Sequence, residues 1–128
     1  VEMPMPVYII SFSYLYGLPE SADQIFDMRF AKNPHWDDVL RARTGLDKDV
    51  AAYIAEDPAV ITVLNNVKDI LTETLGRMQL DGRPHVAIGF GCTGGRHRSV
   101  WGAKQIADWA SSKGHLVQVT HRELFQKS

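Results

Sequence analysis

Apolar positions recur along the chain with two different periods. Val7-Tyr8-Ile9-Ile10-Ser11-Phe12 is a short β-prone run, closed by the turn-like Tyr16-Gly17-Leu18-Pro19. Ile25-Phe26-Asp27-Met28-Arg29-Phe30 predicts a second strand, and its period of two puts Asp27 and Arg29 on one face. A third, His85-Val86-Ala87-Ile88-Gly89-Phe90, runs straight into Cys92, and Leu116-Val117-Gln118-Val119-Thr120 is the last. Between these runs the spacing changes to three and four. Asp57-Pro58 reads as an N-cap with proline at the first helical position. Val60, Leu64, Val67, Leu71 and Leu75 then predict a helix with one buried face. A second helix is expected from about Arg98 to Lys113, with Gly114 placed to end it. Residues 31–49 show no clean period and contain Asn33-Pro34-His35-Trp36 and Thr44-Gly45-Leu46-Asp47. So long an aperiodic stretch is uncommon in a small domain unless it serves a site.

Strand–loop–helix–strand order favours parallel crossovers. The expected fold class is α/β: a small, mostly parallel sheet with helices on its faces. The 128 residues suit one domain, expected over 7–128. Residues 1–6, held extended by Pro4 and Pro6, read as a linker or domain edge. A hydrophobic content of 45% is ordinary for a globular chain and argues against disorder. No apolar run approaches the roughly 18 residues of a membrane span, and no signal-peptide pattern opens the chain. The lone Cys92 excludes an internal disulfide framework and a multi-cysteine zinc site, so a cytoplasmic location is expected. His85 and His115 read as surface residues and His121 is undecided; no metal and no cofactor are expected.

The net charge of −1 hides an asymmetry. Residues 20–81 carry twelve acids against seven Lys or Arg, whereas Arg83 to Lys104 contains four basic side chains and no acid. Positive charge therefore gathers around one loop, where an anion would be drawn.

That loop is Cys92-Thr93-Gly94-Gly95-Arg96-His97-Arg98-Ser99, between a buried strand and a helix. In α/β proteins ligands bind at such carboxyl ends of strands. Gly94 and Gly95 permit close backbone approach, and free N–H groups of the helix's first turn would point at an anion. Arg98 offers a two-pronged donor, while Thr93 and Ser99 offer hydroxyls. A plain tight turn with solvated Arg96 and Arg98 would use the same residues. No Walker A loop occurs, and Gly-Phe-Gly-Cys does not complete a dinucleotide fingerprint. Cys92, five residues and Arg98 also match the loop of tyrosine-phosphatase-like enzymes, in which a thiolate attacks phosphorus. Its general acid would have to come from Asp37, Asp38 or Asp47, none of which the sequence places.

The string Cys-Thr-Gly-Gly-x-His-Arg-Ser-Val resembles the signature of the C-terminal domain of the RNase adapter (RapZ) family. Ser11-Phe12-Ser13-Tyr14, Phe26-Asp27-Met28-Arg29-Phe30, Asn33-Pro34-His35-Trp36-Asp37, Thr44-Gly45-Leu46-Asp47 and His121-Arg122 are similar to it in the same order. The resemblance covers about Val7 to Glu123. It implies a phosphofructokinase-like architecture and a non-catalytic sensor that binds glucosamine-6-phosphate. It further implies contact with small regulatory RNA and an endoribonuclease, and homo-oligomers of a longer protein with an N-terminal P-loop domain. The chain would then be an excised domain or a stand-alone relative. Carried over to matching positions, Cys92, Thr93, Gly94, His97 and Arg98 hold the ligand, joined by Asp27, Arg29 and His35. From the residues alone, Asp27 and Arg29 suit a same-face ion pair, and His35 suits loop packing and the site equally. Trp101 and Trp109 read as helix-packing residues rather than an RNA-stacking platform. Two departures stand out: Leu15 where the family commonly has lysine, and a tail, residues 124–128, with a single lysine where the family is basic. RNA affinity rests mainly on phosphate neutralisation, so both departures weigh on RNA binding.

Overall fold

The structure is a computed structural model and describes residues 4–124. It contains strands β1 (Pro6–Ser13), β2 (Gln24–Asp27), β3 (Val86–Cys92) and β4 (Leu116–His121). Helices α1 (Lys48–Ala55), α2 (Pro58–Leu80) and α3 (Arg98–Ser112) connect them. Two single 3-10 turns, Tyr14–Tyr16 and Pro34–Trp36, follow β1 and β2. The sheet order is β2-β3-β1-β4 and every pairing is parallel. The α/β expectation therefore holds, with a wholly parallel sheet.

Crossover handedness decides which face the helices take. The steps β2 to β3 and β3 to β4 run in the same direction across the sheet. Right-handed crossovers then put all three helices on one face. The core agrees: Val7, Ile9, Val86, Ile88 and Phe90 share one cluster with Val60, Leu64, Leu71, Leu75 and Ile106. Burying each such side chain contributes about 1.5–3 kcal/mol. The step from β1 to β2 runs the opposite way, so its connection crosses the other face. There Gly89 leaves room for Phe12 and Pro19, whose atoms lie 3.1 and 3.5 Å from where its Cβ would stand. The helices thus line one face of the sheet.

Local chemistry sets most boundaries. Asp57 caps α2 by accepting the Ala59 N–H at 3.0 Å, with Pro58 in the first turn. Gly114, at φ 90°, ends α3 in a Schellman turn: His115 N–H donates to Ala110 O and Gly114 N–H to Ser111 O. Two expectations need correction. β2 stops at Asp27, because the Asp27 carboxylate captures the Arg29 N–H at 2.9 Å and turns the chain out of the ladder. Met28-Arg29-Phe30 is therefore not strand. Helix α1 begins inside the stretch that lacked a period; only Val50 and Ile54 of its eight residues are buried, too few to reveal one.

Candidate anion-binding site

Because all strands are parallel, their carboxyl ends meet at one pole, where β1 ends at Ser13, β2 at Asp27 and β3 at Cys92. From Cys92 the chain turns over its own sulfur. Gly95 N–H donates to Cys92 Sγ at 3.3 Å, and the thiol lies 3.2 Å from Ser99 Oγ. Gly95 takes φ 73°, and a Cβ there would stand 2.8 Å from Ser13 N and 2.8 Å from Glu123 Cγ. Glycine is required on both counts. Gly94 is the opposite case: its Cβ would meet nothing within 4 Å, so its backbone faces open space.

Arg98, the first residue of α3, is only 5% exposed. Its Nη1 donates to Arg29 O at 2.6 Å and Ala31 O at 3.2 Å, which pins the segment after β2. Its Nε is buried and has no partner among the described residues. A buried guanidinium with an unused donor is costly until an anion completes it. His97 is also buried, its Nε2 lying 3.2 Å from Arg41 O, and Arg96 O accepts from Gly45 N–H at 2.9 Å. The Thr44–Asp47 turn therefore braces the loop from beneath.

A cleft of about 470 Å³ opens on this loop. Cys92, Thr93, Gly94, His97 and Arg98 line one side, and Leu15, Asn33, His35 and Trp36 the other. Six residues singled out in the sequence, Cys92, Thr93, Gly94, His97, Arg98 and His35, are thus brought together. Five do not line it. Gly95 packs on Ser13, Ser99 is fully buried behind the sulfur, and Arg96 is exposed away from the cleft. Asp27 and Arg29 bind each other through Nε and Nη2 at 2.6–3.0 Å, and Arg29 stacks on Tyr14 with its guanidinium 3.9 Å from the ring centre. The Arg29 hydrogen bond holds the Asp27 carboxyl below its usual range, and the nearby charge of Arg98 adds to this. Asn33 and Trp36 were not singled out individually. Asn33 caps the 3-10 turn by accepting His35 N–H at 3.1 Å, and buried Pro34 anchors the turn, so the 77%-exposed Trp36 is held at the cleft mouth.

The basic segment does not form one face. Arg83 precedes β3 at the opposite pole and pairs with Asp23 at 2.9 Å; Lys104 pairs with Asp108 at 2.8 Å. Among the described residues no group of three or more His, Cys, Asp or Glu could hold a metal, and no helix is long and apolar enough to cross a membrane. Residues 125–128 of the tail lie outside the described residues.

Burial pushes the pKa of His97 down, and that of His121 likewise, with Lys104 adding to the latter. Each folded pKa lies below the unfolded value of about 6.5, so the unfolded chain binds more protons just below that pH. Stability is therefore expected to be fullest above about pH 6.5 and to fall as pH drops towards the folded values. Denaturant midpoints between about pH 5 and 8 check this; a midpoint that rises on acidification would contradict it.

A family model described as the RapZ C-terminal domain matches residues 5–125. A "nucleotide-binding protein" of Sphingopyxis alaskensis is 46% identical over 116 residues, which is 91% of this chain and 37% of the relative. One of Novosphingobium aromaticivorans is 44% identical over all 128 residues, covering 42% of that protein. One of Vibrio parahaemolyticus is 40% identical over 114 residues, 89% of this chain and 40% of the relative. The chain thus spans about two fifths of the length of the curated relatives it matches. With the matched span reaching from just before β1 past the end of β4 and including the Cys92–Ser99 loop, the chain belongs to the RapZ C-terminal domain family.

Proposed function

We propose that this domain is a non-catalytic cytoplasmic sensor that binds a phosphorylated aminosugar of the glucosamine-6-phosphate type. The observation that carries the reading is the buried Arg98 Nε without a partner among the described residues, beside Gly94, whose backbone faces open space. A phosphate there completes the guanidinium and meets the first N–H groups of α3. The cleft is large enough for a monosaccharide phosphate, and His35 and Trp36, which line it with the loop, are available to contact the sugar. The family supports the choice of sugar.

Calorimetric titration of glucosamine-6-phosphate and inorganic phosphate tests it. His35→Ala is expected to weaken the sugar phosphate more than phosphate, because a phosphate loop alone does not read the sugar. Equal losses would place His35 outside the specificity contacts.

The family also supports an RNase-adapter role, with small RNA and an endoribonuclease as partners of a longer, oligomeric protein. Arg96 is the exposed cation of the loop. A single domain neutralises few phosphates, each adding roughly 0.7–0.9 to the salt slope, so useful RNA affinity requires several copies together.

One observation favours a second reading, a Cys92-dependent phosphatase: Cys92 lines the cleft, and the Gly95 N–H donates to its sulfur at 3.3 Å. Among the described residues the cleft lining contains no Asp or Glu to protonate a leaving group. Phosphate release by the wild type and not by Cys92→Ser would favour this reading over the sensor.

A further inference from the structure

His121-Arg122 closes the series of family-like motifs, yet the cleft does not include it. The contacts of Arg122 and Glu123 show where these residues act. Arg122 follows β4; its N–H donates to Ser11 O at 3.0 Å, and its Nη2 donates to Gly17 O at 2.8 Å and Ser13 O at 3.3 Å. Those two carbonyls bracket the Tyr14–Tyr16 turn, which carries Leu15 to the cleft wall. Glu123 is 5% exposed and faces the other wall. Its Oε2 accepts the Ser13 N–H at 2.5 Å, and its Cγ fills the gap against Gly95. Ser13 Oγ in turn donates to Thr93 O at 2.5 Å. The two residues are joined to each other, with Arg122 Nε 3.1 Å from Glu123 Oε2.

We infer that Arg122 and Glu123 are positioning residues for the anion cleft. Arg122 fixes the Leu15 wall, and Glu123, through Ser13, fixes the Thr93–Gly95 wall. Neither residue lines the cleft; the pair sets its width and holds the loop N–H groups in the binding arrangement before ligand arrives. Such preorganisation raises affinity by removing the cost of ordering the loop on binding. The inference rests on the anion-site reading above.

The test is an NMR titration of the 128-residue chain with inorganic phosphate and with glucosamine-6-phosphate, following the Thr93, Gly94 and Gly95 amides. Glu123→Ala and Arg122→Ala are expected to weaken both ligands about tenfold and to broaden the Gly95 amide before ligand is added. Glu123→Gln, which keeps the shape and an acceptor for Ser13 N–H, is expected to recover most of the affinity. Melting temperatures measured alongside separate positioning from folding. Where an alanine variant does not fold, Glu123→Gln and Arg122→Lys are read instead, with a smaller loss of affinity expected at wild-type melting temperature. Wild-type affinity in every folded variant overturns the positioning role, as does a loss that only follows melting temperature and that Glu123→Gln does not relieve. A wild-type chain that binds neither ligand overturns the anion-site reading as well.

Discussion

Replacing Arg98 with alanine is expected to weaken glucosamine-6-phosphate binding by about 1.5–3 kcal/mol, roughly ten- to a hundredfold in Kd. The range is that of a charged hydrogen bond, and burial argues for its upper half, since a 5%-exposed guanidinium acts with little solvent screening. Arg98 also donates to Arg29 O and Ala31 O, so the variant loses stability too and is best measured well below its melting temperature. Arg98→Lys separates charge from shape. It keeps the positive charge but not the planar fork, and an intermediate affinity is expected. Unchanged affinity in Arg98→Ala by calorimetry would remove this residue from the site.

The largest stability effect is expected at Gly45. Its Cβ would stand 2.3 Å from His97 O and 2.6 Å from Trp101 N, the two ends of the first hydrogen bond of α3. Both struck atoms are backbone, so no side chain can turn aside. Overpacking costs about 1–3 kcal/mol where side chains adjust; Gly45→Ala is expected at the top of that range or above. The same push displaces His97 and Arg98 and so weakens phosphate binding. Chemical denaturation checks the first effect and phosphate titration the second. Wild-type stability would mean that the Thr44–Asp47 turn does not brace the loop.

How far the sequence could be read follows from how local each signal is. The four strands, the capped α2 and the Gly114 end of α3 rest on neighbours within a few residues, and they appear where periodicity puts them, β2 apart. Helix α1 has only Val50 and Ile54 to mark it, and β2 ends early because of a side-chain bond that periodicity does not register. At the site, Cys92 to Arg98 is contiguous and therefore visible as a loop. For His35 the residues alone leave loop packing and the site balanced, because the parallel sheet, not the sequence, brings the two segments to one pole. Asp27 and Arg29 form the ion pair that their residue types favour. The Ser13–Glu123 bond joins residues 110 apart and leaves no local trace. Confining all three helices to one face depends on strand order, which composition and period do not encode.

The most direct measurement is the NMR signal of the Arg98 Nε–H during titration with glucosamine-6-phosphate. This donor is buried and without a partner among the described residues, and a phosphate bound at the loop is expected to change its environment. A saturable shift of Arg98 Nε–H, moving together with the Thr93–Gly95 amides and giving one Kd, is the expected result. Saturable binding that leaves Arg98 Nε–H unmoved, with shifts gathered elsewhere on the surface, would contradict an anion site at this loop.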